Sequence, residues 1–278
     1  MNSKQIFLTP DQKAWLTALL FDTPFNTNAQ GPHELRPAIV VVPGGGYNYC
    51  SQRESVPVSL HFNLQGYQTF VLEYHCGEDS DYPSPLIDIA LALAHIRAHA
   101  AEYDIDPNRI ALLGFSAGGH LSALLSSLWH TPELSQLTHL EPSQVQPNAM
   151  ILGYPVANLK AFSDLMAARN DPENKFGAML QSYAPAKDPM RLVNEHLPPV
   201  FLFTTLEDDL IPAEHSFAYA QRLLEAGVPL EFHQYSEGGH GLGSADGLSN
   251  HGRSYPKRLG TWLELAVNWL NAVFKHEC

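Results

Sequence analysis

Gly114-Phe115-Ser116-Ala117-Gly118 sets one serine between two glycines. It follows the apolar run Ile110-Ala111-Leu112-Leu113, and it precedes a helical pattern through Leu121, Leu124, Leu125 and Leu128. The spacing predicts a strand-to-helix turn so tight that a side chain two places before or after the serine would strike the neighbouring strand and helix. The hydroxyl of Ser116 is then held out at the strand's C-terminal end. The amide of Ala117, at the helix N-terminus, faces the place where an oxyanion would form. The chemistry such a group can do is nucleophilic attack on a carbonyl. Five residues of this kind recur by chance. The flanking strand and helix patterns, with Asp106-Pro107-Asn108 as a turn ahead of the strand, single out Ser116.

A nucleophilic serine needs a base, an acid that orients the base, and donors for the oxyanion. On a strand–helix alternating chain these follow in the order serine, acid, histidine, each in a loop after a strand. Val200 to Thr205 reads as a strand and leads into Leu206-Glu207-Asp208-Asp209-Leu210-Ile211-Pro212. Asp208 is the candidate acid, with Glu207 and Asp209 as solvated neighbours or helix-entry charges. Leu230 to Tyr235 leads into Ser236-Glu237-Gly238-Gly239-His240-Gly241, and His240 is the candidate base among fourteen histidines. Its flanking glycines would let the loop approach the serine. His120, one turn beyond Ser116, is too near in sequence to reach it and is expected to pack. Gly44-Gly45-Gly46 follows another buried run, Ala38 to Val42. Gly45 and Gly46 are therefore assigned, with Ala117, as oxyanion donors. A phosphate loop would want a nearby lysine, and none follows. His95 and His99 share the i, i+4 spacing of a zinc helix, but the intervening glutamate of such a motif is missing. They are expected on a solvated helix face, and no metal or other cofactor is expected.

The elements that must position these groups alternate. Two short strands, Gln5 to Thr9 and Trp15 to Phe21, open the chain around the turn Thr9-Pro10-Asp11-Gln12. The polar stretch 26–36, with Gly31-Pro32, reads as a loop. Strands are expected at Ala38 to Val42, Thr69 to Tyr74, the run ending at Phe115, Ala149 to Leu152, Val200 to Thr205 and Leu230 to Tyr235. Helices are expected at Val56 to Leu64, Pro85 to Ala100, the segment after Ser116, Glu214 to Ala226 and Tyr255 to Lys275. The last carries Leu259, Trp262, Leu263, Ala266, Trp269 and Leu270 on one side. Strands that alternate with helices imply an α/β fold, a doubly wound and mostly parallel sheet of about eight strands covered on both faces. A single domain over 1–278 is expected, with 157–197 as an insertion near the pocket mouth.

Composition narrows the partners. With 278 residues, 45% hydrophobic and 16% charged, the chain can bury a large core. A net charge of −13 without a basic cluster argues against nucleic acid and against an anionic membrane surface. No segment approaches the length of uncharged apolar sequence that a membrane span needs. The early apolar run Ala14 to Phe21 is too short for a secretory leader. Cys50, Cys76 and Cys278 have neither metal-like spacing nor an even count, which fits a reducing compartment, and a cytoplasmic protein is expected. A homodimer is compatible with all of this.

Taken together, several motifs resemble the α/β-hydrolase superfamily, and within it the small esterases near the hormone-sensitive-lipase-like and acetylxylan-esterase-like groups. They are Pro43-Gly44-Gly45-Gly46-Tyr47 with Ser51-Gln52-Arg53-Glu54 behind it, Tyr82-Pro83 through Asp88, Asp106-Pro107-Asn108-Arg109-Ile110, the Ser116 turn, Asp208 to Pro212, and Gly238-Gly239-His240-Gly241. Lipase-type relatives commonly carry a histidine before the three glycines, where this chain has Pro43. That departure moves the resemblance toward the acetyl- and sugar-esterase branch. The resemblance implies a metal-free serine carboxylesterase acting on a small-molecule, short-chain acyl ester, with acetyl groups on a carbohydrate as the implied target. Tyr47 and Tyr49, beside the glycine loop, would either line the acyl pocket or pack. The same triad could instead cleave an amide, as in arylformamidase or peptidase relatives, or the pocket could serve only as a receptor. The presence of all three triad members counts against the receptor.

Overall fold

A computed structural model describes residues 2–21, 34–169, 182–183, 186–252 and 255–275. Most of the stretch expected as a loop at 26–36, the middle of 157–197, and Cys278 lie outside the described residues.

The run Arg36–Val42 (β3) is buried at every position. Its alternate side chains enter two different cores. Ala38, Val40 and Val42 pack with residues of α2 (Ser84–Ala98) and α3 (Ser116–Leu128). Ile39 and Val41 pack with α1 (Val56–Asn63) and the closing helix Thr261–Phe274. A strand covered on both faces has no polar side, which is why its sequence is a continuous apolar run rather than an alternating one. β4 (Gln68–Glu73), β5 (Ile105–Phe115), β6 (Ala149–Gly153), β7 (Val200–Thr205) and β8 (Leu230–Tyr235) lie parallel in the same sheet as β3. β1 (Asn2–Phe7) and β2 (Trp15–Leu20) add an antiparallel edge. The eight strands run in the order β1-β2-β4-β3-β5-β6-β7-β8. This is the expected doubly wound sheet, with β5 near its centre.

β1 spans Asn2–Phe7, earlier in the chain than the expected Gln5 to Thr9, and two further elements differ from expectation. β5 begins at Ile105, so Asp106-Pro107-Asn108 lies within the strand instead of ahead of it. The turn chemistry is present: the Asn108 amide donates to Asp106 Oδ1 at 2.9 Å. It is absorbed as a register shift, Arg36 opposing Ile105 and Ala38 opposing Ile110. The closing helix starts at Thr261, six residues later than its apolar pattern suggests. Pro256 is extended, and a short 3-10 turn, Lys257–Gly260, comes between. Leu259, Trp262, Leu263, Ala266 and Leu270 are nevertheless buried on one side, as expected.

Candidate active site

Every residue of α3 is buried, so the turn from β5 into it is fixed from all directions. Ser116 is the first residue of that helix and has φ of 50°. A left-handed conformation costs a non-glycine residue about 1–2 kcal/mol, and the packing around it holds the strain. A Cβ built on Gly114 would lie 2.4 Å from Ser122 Oγ and 2.5 Å from the Gly118 carbonyl. One on Gly118 would lie 2.1 Å from the Val42 carbonyl and 2.4 Å from that of Pro43. Both glycines are therefore required by close approach, one to the helix and one to β3.

The structure brings together the three groups that the loops were expected to supply. Ser116 Oγ is 2.9 Å from His240 Nε2, and His240 Nδ1 is 2.7 Å from Asp208 Oδ2. An ionised carboxylate only accepts, so Nδ1 carries the proton and Nε2 accepts from the serine hydroxyl. The Asp208 side chain is fully buried, and its Oδ1 accepts from the amides of Leu210 at 3.0 Å and Ile211 at 2.8 Å. Those bonds fix the carboxylate so that its other oxygen faces the imidazole. Glu207 is exposed, as expected of a neighbour, yet its Oε2 accepts from the Gly238 amide at 2.9 Å and so ties the acid loop to the histidine loop. Gly238 and Gly241 have φ of 104° and 75°, whereas a side chain on Gly239 would meet open space. Only the first two are demanded by the loop.

Beside Ser116 lies the glycine segment. A Cβ on Gly44 would be 2.8 Å from Ser116 Cβ. The Gly44 amide is already used, donating to Glu54 Oε2 at 2.9 Å. Among the described residues the amides of Gly45 and Gly46 have no protein acceptor, and Ala117 offers a first-turn helix amide. Gly45 has φ of 122°, and a Cβ there would fall 1.9 Å from the Tyr49 carbonyl, so no other residue fits. Of the two alternatives for Tyr47, the structure shows packing. Its side chain is 1% exposed, stands against Tyr74, His120 and Tyr183, and shares a 2.6 Å hydrogen bond with His120 Nδ1. Tyr49 is 60% exposed.

His120 packs, as its position implied. Its Nε2 lies 3.2 Å from the Lys187 carbonyl, which only accepts. The neutral ring therefore donates there and receives the Tyr47 hydroxyl proton at Nδ1. Burial pushes its pKa down to about 4. His95 and His99 depart from the solvated face expected of them: both are half-buried, stacked with ring centroids 4.1 Å apart, and His95 Nε2 bonds the Tyr103 hydroxyl at 2.9 Å.

Sequence reasoning missed one functional connection. Glu54, 2% exposed, accepts from the Gly44 amide with one oxygen and from the Tyr154 hydroxyl with the other, at 2.7 Å. The Tyr154 oxygen in turn accepts from the Gly243 amide at 3.0 Å, and its ring packs 5.0 Å from that of His240. One buried carboxylate thus joins the glycine segment to the loop that carries the base. Glu54 was visible in the motif Ser51-Gln52-Arg53-Glu54. Nothing local in the sequence pairs it with a tyrosine a hundred residues on.

Chemically, the arrangement can hold a carbonyl carbon against Ser116 Oγ, pass the serine proton to His240, and stabilise negative charge at two or three backbone amides. A separate cleft of about 880 Å³ borders the closing helix between His61, Asp246 and Thr261, and none of the triad residues lines it.

Comparison with known proteins places the chain among esterases and α/β hydrolases. The BD-FAE family model matches residues 25–223. An acetylxylan esterase of Xylanibacter ruminicola is 29% identical over 92% of this chain and 49% of its own length. Endo-1,4-beta-xylanase B of Butyrivibrio fibrisolvens is 30% identical over 74% of this chain and 32% of its own. The chain therefore spans about a third to a half of these curated relatives. Solved structures match end to end. The carboxylesterase Cest-2923 from Lactobacillus plantarum superposes with a TM-score of 0.85 at 29% identity, covering 98% of each chain. MGS-M1, an alpha/beta hydrolase enzyme from a deep-sea metagenome library, gives 0.79 at 31% identity, covering 99% of this chain and 98% of its own. The acetyl ester-xyloside bifunctional hydrolase of Caldicellulosiruptor lactoaceticus gives 0.72 at 29%, covering 98% of this chain and 96% of its own. With an α/β-hydrolase sheet, a serine at its central turn and a family model matched over most of its length, the chain belongs to the BD-FAE family.

Proposed function

We propose that the protein is a serine carboxylesterase that hydrolyses short-chain acyl esters and removes acetyl groups from a carbohydrate. The observation that carries this reading is the relay Ser116–His240–Asp208 beside two glycine amides that have no protein acceptor among the described residues. Ser116 attacks the acyl carbon as His240 takes its proton. Gly45, Gly46 and Ala117 hold the oxyanion. The imidazolium, steadied by Asp208, returns the proton to the leaving alcohol, and water then resolves the acyl-enzyme by the same relay. Similarity to an acetylxylan esterase and to an acetyl ester-xyloside bifunctional hydrolase supports acetylated sugars as the target class.

The described parts of 157–197 are assigned to the pocket mouth. They begin just past Val156, whose amide donates to the Ser116 carbonyl at 3.1 Å. Exposed Tyr49, beside the glycine segment, is assigned to substrate contact. Among the described residues no helix is long and apolar enough to cross a membrane. A cytoplasmic location is part of the proposal, supported by the cysteine pattern and checked by cell fractionation.

The test is a series of initial rates on p-nitrophenyl esters from acetate to octanoate, followed by acetylated xylo-oligosaccharide, with Ser116→Ala alongside. A steep fall beyond butyrate and release of acetate from the sugar are expected. Equal rates on long and short chains, or faster cleavage of a matched anilide than of the ester, would overturn the assignment.

A further inference from the structure

Cys50 and Cys76 are brought together by the fold from separate loops, with their Sγ atoms 3.7 Å apart. Cys50 ends the glycine segment and is 9% exposed; Cys76 follows β4 and is partly exposed. The two loops already lie side by side. The Tyr74 hydroxyl donates to the Pro43 carbonyl at 2.8 Å, and the Gly77 amide donates to the Tyr47 carbonyl at 2.8 Å. Both bonds end on the segment that carries the oxyanion donors. The cysteines also line a surface cleft of about 340 Å³ together with Lys13, Trp15 and Glu73. The thiols thus touch each other, touch the segment that shapes the reaction centre, and are reachable from outside.

We propose that Cys50 and Cys76 form a reversible intramolecular disulfide that couples thiol redox state to the set of the oxyanion segment. The sulfurs need close by only about 1.7 Å to reach bonding distance. The oxidant is a small-molecule disulfide. Cys76, the more exposed, attacks it as thiolate; one small thiolate leaves and a mixed disulfide remains on Cys76. Cys50 then loses its proton to solvent and attacks Cys76 Sγ, and the second small thiolate leaves. The protein dithiol is oxidised by two electrons, and the small disulfide is reduced to two thiols. The hydrogen bond with Cys76, with burial second, raises the pKa of Cys50. That suits Cys50 to the resolving step rather than the first attack.

The bond would draw Cys50 toward Cys76, and the movement has a direct route to the donors. The Tyr49 carbonyl, next to Cys50, sits where a Cβ on Gly45 would be, and the Ser51 amide donates to the Gly44 carbonyl at 2.9 Å. Oxyanion geometry is set within fractions of an ångström, so the oxidised form should turn over ester more slowly. This rate effect rests on the proposed esterase activity; formation of the bond does not.

The experiment incubates the whole protein with oxidised glutathione in mildly alkaline buffer, then reads intact mass, non-reduced peptide maps and p-nitrophenyl acetate turnover. Cys50→Ser, Cys76→Ser and Cys278→Ser run in parallel. Expected are the loss of two hydrogens, one cross-linked peptide pair joining Cys50 to Cys76, and turnover reduced several-fold and restored by dithiothreitol. Cys278→Ser should behave as the parent, and in either of the other two the rate before and after oxidation should be the same. Glutathione adducts alone, or cross-links only through Cys278, would overturn the site. A Cys50–Cys76 bond with unchanged turnover would overturn the coupling. Lack of turnover in the reduced parent would contradict the esterase reading and leave the mass result to decide the disulfide.

Discussion

At the scale of single residues, the proposed site divides into groups assigned to react and groups that hold them. Asp208 holds: its two oxygens are divided between the imidazole and two loop amides. Asp208→Asn keeps the shape but offers the imidazole an amide in place of an acceptor-only carboxylate. Turnover should fall by about 10³–10⁴-fold, by analogy with triads in which the wrong tautomer is stabilised; a fall of less than tenfold in kcat would show that another acid serves. Glu54 holds differently. Its carboxylate accepts one bond from Gly44 and one from Tyr154. In Glu54→Gln one of those donors must face an amide N–H. A buried donor left without an acceptor costs about 1–3 kcal/mol, and the glycine segment is where that loss is felt. The expected result is a drop in kcat of about 10–100-fold with KM nearly unchanged, read from saturation curves on p-nitrophenyl acetate. A change confined to KM would place Glu54 in substrate binding instead.

At the scale of elements, α3, β3 and β5 approach one another so closely that only glycine fits at the contacts. Gly118→Ala would press a methyl group onto the Val42 and Pro43 carbonyls, backbone atoms that cannot swing aside. Destabilisation of about 3 kcal/mol or more is expected, measured by urea unfolding, whereas Gly239→Ala, in open space, should stay within about 0.5 kcal/mol of the parent. Equal effects of the two would contradict the steric account. The same elements show what the sequence could and could not disclose. The serine turn, the acid loop and the histidine loop each follow a strand whose apolar run is visible, so Ser116, Asp208 and His240 were legible from local pattern and chain order. The start of β5 was not, because a bulge against β3 lets turn residues sit inside a strand. Nor was the start of the closing helix, where extended Pro256 and a 3-10 turn interrupt an apolar pattern that runs on past them. The Glu54–Tyr154–Gly243 chain was invisible for another reason. Its two links join groups 100 and 89 residues apart, the second through the Gly243 backbone amide, and only tertiary packing brings them together.

At the scale of the whole molecule, burial sets a pH dependence. His120 is fully buried and neutral, with its pKa lowered to about 4 against about 6.5 when unfolded. Between those values the unfolded chain binds the proton and the folded chain does not, so stability falls as pH drops through that window and is intact above it. The parent should lose about 2–3 kcal/mol more than His120→Gln between roughly pH 7.5 and 4.5, measured as unfolding free energies at each pH. Identical pH profiles would show that His120 does not titrate as its surroundings dictate. If the sheet positions Ser116 to form an acyl-enzyme, as proposed, that intermediate can be trapped. The protein is mixed with p-nitrophenyl acetate, quenched in acid within the first turnovers, digested, and its peptides weighed. One acetyl group on the peptide bearing Ser116, lost on longer incubation and absent from Ser116→Ala, is the expected result. Acetylation at another residue that is competent for turnover, or hydrolysis persisting in Ser116→Ala, would contradict the account.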